Sequence, residues 1–564
     1  MSAEPLPVVL CWHMHQPEYR DPEDGSWRAP WTYLHGIKDY VDMAAHLEDA
    51  PEGVRVVVNF PPVLLEQIDD YAGRIERCLE EGKATGEPLL DALACRRMPA
   101  RRSRRRELLQ RCLQAHEAHM IRPFPVFRHL AGMARHALGT DVGPDYLSDR
   151  HLKDLVVWYH LAWLGETVRQ SDERVQKMLE RAGGYTREER REMLALVGEL
   201  MSGLIGRYRR LAERGVVELS ASPYSHPMLP LLLDLSSARQ AQPDIVLPES
   251  PAYPGGEERV RWQLSRAREV FEHYFGAAPR GCWPSEGGLC EASVRMIGEA
   301  GFVWTASGEG VLRNSLAGAE QKVDPLHRCW RLHGKGPYCF FRDEGLSDAI
   351  GFNYQQWRAD DAVADLIKHL KDIGRATVDV PGRVVSIILD GENPWEHYPQ
   401  NGFHFLGTLY RELAAAKGLK MVGFSDVIPA RGKDHSGRLE GLVAGSWVYG
   451  TLNTWIGDPD KNRAWDLLCE ARREVERVLA ETQAPSQHAA IERQLAVCEG
   501  SDWFWWFGDY NPAEVVDEFE RLYRRQLECL YRMIGVAPPA ALEARLSRGS
   551  GAPELGGTMR RGNE

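Results

Sequence analysis

The chain has 564 residues, 43% of them hydrophobic, which is sufficient for one large domain with a buried core and a smaller unit beside it. Its 69 basic and 81 acidic side chains give a formal net charge of −12. This charge argues against a nucleic-acid partner, because nucleic acids bind basic surfaces. No apolar run reaches the roughly 18 residues of a membrane span, and the N-terminal segment lacks the pattern of a signal peptide. Eleven cysteines without Cys-x-x-Cys spacing predict a cytoplasmic protein without a disulfide framework or a structural zinc site.

The first part of the chain reads as strand, helix and strand. Apolar residues predict strands at Pro7–Cys11 and Val54–Asn59, and the spacing over Leu34–Leu47 between them is helical. This is the repeating unit of a parallel sheet. From about residue 64 to 214 the pattern is helical and charged, which predicts a helical insertion. The basic cluster at 96–106 within it is typical of a solvated helix face.

Strands and helices alternate again after the insertion. Two helices are predicted, at Glu257–Phe275 and Glu291–Ala300. Further strands are predicted at Val216–Leu219, Phe302–Ala306, Tyr338–Phe341, Val384–Leu389 and Lys420–Phe424. Strands joined by helices, with polar loops at the strand ends, predict an α/β fold with a parallel barrel over residues 1–434.

The pattern becomes helical from about residue 435 onward. Helices are predicted over Asn462–Glu481, Gln487–Cys498 and Ala513–Ile534. We therefore expect a C-terminal all-helical domain over residues 435–540. Residues 541–564 are rich in Gly, polar and charged residues, and this composition predicts a disordered tail.

Two carboxylates stand at sites where catalytic groups of barrel folds occur. The predicted strand Val384–Leu389 ends in Asp390, followed by Gly391-Glu392-Asn393-Pro394-Trp395, and Glu286 stands in the turn Trp283-Pro284-Ser285-Glu286-Gly287-Gly288. Catalytic side chains of α/β barrels lie at the C-terminal ends of strands. Glycoside hydrolysis needs one carboxylic acid and one carboxylate, and aromatic rings beside them hold a sugar. The pattern predicts a carbohydrate-active enzyme.

Polar and aromatic loops follow two other predicted strands. His13 and His15 come after the first strand, where they fit three roles: metal ligands, partners of sugar hydroxyls together with Gln16, or packing. The strand that contains Glu218 leads into Ser222-Pro223-Tyr224-Ser225-His226-Pro227, a loop of the same kind.

The C-terminal part carries unusually many aromatic residues. They are interleaved with Gly, Asp and Asn, which do not build an apolar core, so we interpret them as walls of a sugar cleft, with some rings in the core. The residues in question are Trp447, Trp455, Asp458, Trp503, Trp505 and Trp506.

Taken in order, these motifs resemble those of glycoside hydrolase family 57. The matching segments extend from about residue 8 to about residue 510. They are His15-Gln16-Pro17, Val217-Glu218-Leu219 with Ser222-Pro223-Tyr224, Trp283-Pro284-Ser285-Glu286, Leu389-Asp390-Gly391-Glu392-Asn393 with Trp395-Glu396, and the segment from Trp447 through Asp458.

The resemblance implies a (β/α)7-type barrel whose cleft is completed by the helical C-terminal part. It also implies a retaining mechanism without a metal or another cofactor, in which Glu286 is the nucleophile and Asp390 the general acid/base. Glu344 stands where the family pattern leads us to expect a histidine. The residues expected to bind the substrate are His13, His15, Gln16, Glu218, Tyr224, Trp283, Trp395, Trp447, Trp455, Asp458, Trp503, Trp505 and Trp506.

The expected substrate is an α-glucan oligosaccharide or polysaccharide of the starch or glycogen type. An α-amylase or amylopullulanase is the first expectation, because the chain length and the segment 501–509 resemble that branch. Within the family, 4-α-glucanotransferase, branching enzyme and α-galactosidase are the alternatives. Outside it, a metal-dependent carbohydrate hydrolase or deacetylase that uses His13 and His15, and a glucan-binding protein without catalysis, stay open.

Overall fold

The structure is a computed structural model that describes residues 4–317, 325–428, 435–481 and 485–551, without the side chains of residues 485 and 486. Within these ranges, one sheet of ten strands forms the centre of the molecule. The strands are β1 (Leu6–His13), β2 (Val56–Phe60), β3 (Val217–Ala221), β4 (Gly281–Cys282), β5 (Trp304–Gly308), β6 (Trp330–Leu332), β7 (Tyr338–Arg342), β8 (Val385–Asp390), β9 (Leu419–Met421) and β10 (Gly437–Leu439).

Seven parallel strands build the barrel, in the order β7-β5-β4-β3-β2-β1-β8. The ends of this row meet where the backbone N–H of Asp343, after β7, donates to the carbonyl of Ser386 in β8 at 2.8 Å. Alternate side chains of the strands, among them Val9, Val57 and Phe340, fill the interior with apolar groups. The predicted α/β architecture, a (β/α)7-type barrel, is confirmed.

Strands β9, β6 and β10 lie outside this row. Strand β9 pairs with the start of β1, β6 runs antiparallel to β7, and β10 continues beside β6. Strands β4, β6 and β10 were not predicted as strands, because two or three residues are too few for an alternating pattern. In β4, Gly281 is required, since a Cβ there would lie 1.9 Å from Cε2 of the Trp304 ring.

Helices connect the strands on the outside of the barrel and form the two helical parts. Between β1 and β2 lie α1 (Trp31–His35) and α2 (Val41–Glu48). Between β2 and β3 lie α3 (Pro62–Glu81), α4 (Pro88–Ala94), α5 (Arg102–Arg111), α6 (Pro125–Leu138), α7 (Gly143–Tyr146), α8 (Asp149–Trp163), α9 (Glu166–Ser171), α10 (Glu173–Arg181) and α11 (Arg187–Glu213).

The remaining helices follow β3. They are α12 (Leu229–Leu233), α13 (Gly256–Phe275), α14 (Glu291–Glu299), α15 (Glu309–Ser315), α16 (Glu344–Asp348), α17 (Ala359–Ala376), α18 (Phe403–Ala415), α19 (Pro459–Glu481), α20 (Pro485–Cys498), α21 (Ser501–Trp506) and α22 (Ala513–Met533). None of the helices in the described ranges is both long enough and apolar enough to pass through a lipid bilayer.

The C-terminal helices contact the C-terminal ends of the barrel strands. Gly500 forms a β-bridge with Pro227, which lies in the loop after β3. The buried guanidinium of Arg259 on α13 pairs with the buried carboxylate of Glu499, its Nε 2.6 Å from Oε1. These contacts place the start of α21 directly over the barrel.

The chain remains packed beyond α22. Leu546 is buried, and the Ser547 hydroxyl accepts a hydrogen bond from the Gly508 backbone N–H at 2.9 Å. This differs from the prediction of a disordered tail from residue 541 onward. The rest of that prediction, residues 552–564, lies outside the described residues.

Candidate active site

A ring of polar side chains stands at the C-terminal ends of the barrel strands. The strand register pairs His13 with Asn59 on β2 and with Asp390 on β8, and it pairs Asn59 with Ser220 on β3. His13 Nδ1 lies 2.7 Å from Asn59 Oδ1, and Asn59 Nδ2 donates to Ser220 Oγ at 3.0 Å. The ring occupies the end of the barrel where catalytic groups of such folds lie.

Glu286 is held in a strained turn just after β4. Its backbone adopts φ 57° and ψ 23°, and Gly287 follows with φ 61°. A left-handed conformation is unfavourable for a residue with a Cβ and occurs mainly at functional sites. The Gly287 N–H bonds the Pro284 carbonyl at 2.9 Å, which stabilises the turn. The turn therefore presents the Glu286 side chain, 12% exposed, to the cleft.

Trp447 fixes the carboxylate of Glu286. Its indole Nε1 donates to Glu286 Oε2 at 3.0 Å, and its ring makes an edge contact with Trp283, with centroids 5.1 Å apart. The guanidinium carbon of Arg342 lies 5.6 Å from the Trp447 ring centroid. Arg342, at the end of β7, also donates from Nε to the Ile388 carbonyl at 2.8 Å, two residues before Asp390. Arg342 thus connects the strand that carries Asp390 with the tryptophan that holds Glu286.

Asp390 is the last residue of β8. Burial raises the pKa of Asp390 to about 6, although a hydrogen bond from Asn393 Nδ2 at 2.9 Å and the nearby His15 and Arg342 act in the opposite direction. A carboxyl group with such a raised pKa keeps its proton to higher pH than an ordinary aspartate does, as a general acid requires.

Glu392 lies behind Asp390 and holds the loop after β1. Its Oε1 accepts hydrogen bonds from the backbone N–H of His15 at 3.1 Å and from Gln16 Nε2 at 3.2 Å. Burial raises the pKa of Glu392 well above its usual value, and the neighbouring Asp390 acts in the same direction. The hydrogen bonds from His15 and Gln16 to Glu392 hold the loop after β1 in place.

Three stacked imidazole rings lie near the two carboxyl groups. The His15 and His226 ring centroids are 3.9 Å apart, and His13 lies 5.1 Å from His226. His226 Nδ1 is 3.9 Å from Glu286 Oε1, while His15 is close enough to affect the pKa of Asp390. Burial lowers the pKa of His13 to about 3 and that of His226 well below its usual range, so both rings are neutral.

The C-terminal helix α21 orients two of these rings. Asp502 Oδ1 lies 2.8 Å from His15 Nε2, and the Ser501 hydroxyl lies 3.0 Å from His226 Nδ1. His15 Nδ1 and His226 Nε2 are buried and have no hydrogen-bond partner among the described residues. No described protein group satisfies the hydrogen-bonding capacity of these two nitrogens.

The same three histidines are the one group in the described part of the chain with metal-ligand spacing, one nitrogen of each lying within 4.8 Å of the others. Their ring planes are 17–26° apart. The in-plane lone pairs of nearly parallel rings run side by side and do not converge on one point at the ~2.0–2.1 Å of a zinc–nitrogen bond. The arrangement fits hydroxyl partners better than a metal ion.

Glu344 occupies the position where we expected a histidine. It is 3% exposed at the start of α16, and its Oε1 accepts from the Gly310 backbone N–H at 3.2 Å. Burial raises its pKa to about 7. It is therefore a carboxyl group that donates or accepts a hydrogen bond according to pH.

Several residues expected to bind substrate are instead structural. Glu218 lies inside the barrel, where it accepts from Trp304 Nε1 at 2.8 Å and from the Ser425 backbone N–H at 3.0 Å. The Tyr224 hydroxyl donates to Glu66 at 2.8 Å on the outer side of the barrel. These hydrogen bonds occupy the polar groups of both residues, so the prediction that they contact substrate is not supported by the geometry.

Trp395, which follows the Asp390 motif, and Trp503, in the C-terminal part, are core residues. Trp395 is fully buried against Trp12, and its indole N–H donates to the Gly391 carbonyl at 2.8 Å. Trp503 is 1% exposed and donates to the Val497 carbonyl at 2.8 Å. Both rings are enclosed by other side chains in the described structure, so neither presents an exposed face.

The other predicted aromatic walls are also enclosed. Trp455 is fully buried beside Trp505, which is 7% exposed, and Trp506, 8% exposed, stacks on Phe519. Asp458 caps the start of α19, its Oδ1 accepting from the Asp460 N–H at 2.8 Å.

Five residues near the carboxyl groups were not predicted as site residues: Asn59, His226, Arg342, Ser501 and Asp502. The signals that could have identified them are the polar loop after β3 for His226 and the position at the end of a strand for Arg342. Asn59 also ends a predicted strand, and Ser501 and Asp502 are marked only by the aromatic segment 501–509 in which they lie.

The comparisons with known proteins show the family and the fold of the chain. Residues 9–436 match the family model described as Glycosyl hydrolase family 57. No curated protein sequence matches the chain. The fold is similar to that of a branching enzyme from Pyrococcus horikoshii, at 17% identity and a TM-score of 0.56, over 95% of this chain and 96% of that one.

Two further solved structures have the same TM-score of 0.56. A branching enzyme from Thermococcus kodakaraensis, in complex with glucose, is 15% identical over 94% of this chain and 90% of its own. An α-amylase from Thermotoga maritima is 14% identical over 94% of each chain. At these identities the structures show the fold, and the family model, which covers most of the chain, shows the family. The chain therefore belongs to glycoside hydrolase family 57, whose members are glycoside hydrolases and transglycosylases.

Proposed function

We propose that the protein is a retaining enzyme that acts on α-glucans of the starch or glycogen type, with Glu286 as nucleophile and Asp390 as general acid and base. The observation that carries this proposal is that both carboxyl groups lie near the same imidazole cluster: His226 Nδ1 is 3.9 Å from Glu286 Oε1, and His15 lowers the pKa of Asp390. Asp390 has a raised pKa of about 6, whereas Glu286 accepts a hydrogen bond from Trp447. Two carboxyl groups in different environments are what double displacement requires.

In the first step a Glu286 oxygen bonds to the anomeric carbon while the bond from that carbon to the leaving oxygen breaks. Asp390 gives its proton to the leaving oxygen. In the second step a hydroxyl oxygen attacks the anomeric carbon, the bond to Glu286 breaks, and the proton of the attacking group passes to Asp390. Two inversions give net retention of configuration.

The identity of the attacking hydroxyl separates the two candidate activities. Water as the acceptor makes the enzyme an α-amylase or amylopullulanase, which is our first proposal. A sugar hydroxyl makes it a 4-α-glucanotransferase or branching enzyme. The similarity over nearly full length to two branching enzymes favours the second candidate, while the equal similarity to an α-amylase favours the first. In this proposal, hydrolysis and transfer share the same covalent intermediate on Glu286.

Neutral imidazoles around the site suit an uncharged, hydroxyl-rich ligand. His15 Nδ1 and His226 Nε2 face no protein partner in the described structure, and each can hydrogen-bond a sugar hydroxyl. Trp447, partly exposed, supplies an aromatic surface beside Glu286. The eleven cysteines carry no Cys-x-x-Cys spacing, which favours a reducing, cytoplasmic location.

Product analysis on amylose, pullulan and maltooligosaccharides tests the proposal. Hydrolysis gives new reducing ends and short sugars, whereas transfer gives longer or branched chains without a net gain of reducing ends. Glu286→Gln and Asp390→Asn are each expected to lose at least about 1000-fold in kcat, since each removes one of the two reacting groups. Wild-type turnover by Glu286→Gln on all α-glucans would refute the assignment.

A further inference from the structure

Trp357 is the most exposed tryptophan in the described ranges, with 49% of its surface accessible. The other exposed large apolar residues, Met133, Val142, Tyr146, Val246 and Val378, are distant in the chain. An isolated apolar side chain on a surface needs no explanation by itself. The position, support and surroundings of Trp357 distinguish it from such a residue.

The first distinguishing feature is position. Trp357 lies in the connection between β7 and α17, and this connection leaves the barrel at the end that carries Asp390. The same connection is joined to the loop after Asp390, because the Tyr398 hydroxyl donates to the Ile350 carbonyl at 2.6 Å. Trp357 therefore stands on the rim of the face that contains the candidate active site.

The second feature is rigid support. The Tyr354 ring contacts the Trp357 ring at a centroid distance of 5.4 Å and an interplanar angle of 66°. Tyr354 is 2% exposed, and its hydroxyl donates to Asp365 at 2.8 Å. The Trp357 backbone N–H bonds the Tyr354 carbonyl at 3.0 Å. The indole is fixed before any ligand arrives, so little side-chain entropy is lost on binding.

The third feature is the chemistry around the ring. Exposed amide and charged side chains surround Trp357 in the chain: Asn353, Gln356, Arg358 and Asp360. A protein or lipid partner needs a contiguous apolar patch, which these neighbours interrupt. A sugar presents an apolar C–H face together with hydroxyl groups, and it fits one flat ring among hydrogen-bonding side chains.

We propose that Trp357 forms a glucose-binding subsite remote from the reaction centre, which holds an α-glucan chain that extends from the cleft along the connection between β7 and α17. This inference rests on the proposed function. It assigns Trp357 a role in positioning long chains and none in bond cleavage. Trp357 therefore contributes to substrate affinity for long glucans and leaves the turnover of short ones unchanged.

Kinetics of Trp357→Ala on amylose and on maltotriose test the inference, with Trp357→Phe as the conservative variant. Tyr146→Ala is the matched control, because Tyr146 is an exposed aromatic residue, 84% accessible, on α7 of the helical insertion. We expect Trp357→Ala to raise KM for amylose about tenfold, as for the loss of one stacking contact, at unchanged kcat and unchanged maltotriose kinetics. Trp357→Phe should recover most of the affinity, and Tyr146→Ala should match the wild type.

Affinity electrophoresis in amylose-containing gels gives a second measurement that is independent of turnover. The inference is overturned if Trp357→Ala migrates as the wild type does, or if its KM rises equally for maltotriose. It is also overturned if the variant changes from a dimer to a monomer in solution, because Trp357 would then be a subunit contact. The proposed function fails by a different result, namely a wild-type protein that acts on no α-glucan.

Discussion

Trp447 binds Glu286 at two points: its indole N–H donates to Glu286 Oε2 at 3.0 Å, and its backbone N–H donates to the Glu286 carbonyl at 3.0 Å. The two residues are 161 positions apart in the chain. A residue with a left-handed backbone is costly to hold, and the two bonds from Trp447 offset part of that cost. The segment after β10 therefore determines where the candidate nucleophile points.

Replacing Trp447 by Phe keeps an aromatic ring in place and removes the N–H. A hydrogen bond to a charged group contributes about 1.5–3 kcal/mol, so we expect kcat to fall by about 10- to 100-fold, together with some loss of thermal stability. Trp503→Phe is the control, since Trp503 also loses one indole hydrogen bond, to Val497, but away from Glu286. It should lower thermal stability and leave kcat unchanged. Equal kcat in both variants would contradict the role of Trp447.

The rate should depend on pH through Asp390. Its pKa of about 6, raised by burial, means that the acid form needed in the first step is lost as pH rises through this value. We expect kcat/KM to fall on the alkaline side with an apparent pKa of about 6. Because Arg342 lowers the pKa of Asp390, Arg342→Met should move this limb to higher pH.

The control for that shift is Arg328→Met, whose guanidinium lies over Trp330 at 5.3 Å, outside the polar ring. A pH–rate profile of the three proteins on one maltooligosaccharide provides the measurement. An alkaline limb that stays in place in Arg342→Met would show that Arg342 does not act on Asp390.

The stability of the fold should also report on Asp390. A carboxyl group whose pKa is raised in the folded state contributes stability below its unfolded pKa of about 3.9, and this contribution is lost as pH rises through about 6. Asp390→Asn should therefore be inactive but more stable than the wild type at pH 7, by roughly 1–3 kcal/mol. The difference should shrink below pH 4. Denaturant unfolding of both proteins at pH 7 and below pH 4 measures this difference in stability and its sign.

Chelation tests the role of the stacked histidines. Because the rings of His13, His15 and His226 are nearly parallel, we expect activity to survive prolonged treatment with EDTA. Activity that disappears on chelation and returns with one divalent cation would favour the metal-dependent alternative. Elemental analysis of the purified protein provides the matching measurement.

Two glycine substitutions test the packing of the barrel. Gly281→Ala should destabilise the fold by at least about 1–3 kcal/mol, because its Cβ would overlap the Trp304 ring. Gly203→Ala, on α11 with no atom within 4 Å of the added Cβ, should instead stabilise it by about 0.5–1 kcal/mol. Thermal unfolding of both variants measures these changes in stability. Equal melting temperatures would contradict this account of β4.

The sequence by itself determined the elements and the two carboxyl groups. An apolar run such as Val384–Leu389 that ends in an acid is a local pattern, and a local pattern predicts both a strand and a strand-end side chain. The ordered motifs around Glu286 and Asp390 likewise indicated the family and the barrel. Strand β4, with two residues, carries no such pattern, and only its neighbours Ala221 and Trp304 place it in the sheet.

Only the tertiary structure decided what surrounds the carboxyl groups. Asp502 reaches His15 across 487 positions, and Ser501 reaches His226 across 275, so no local window contains these pairs. The roles of the tryptophans also depended on the fold. Trp395 and Trp447 both lie in segments that resemble family motifs, yet Trp395 is buried in the core and Trp447 donates a hydrogen bond to Glu286. Burial depends on which distant segments pack together, and a sequence pattern does not contain that information.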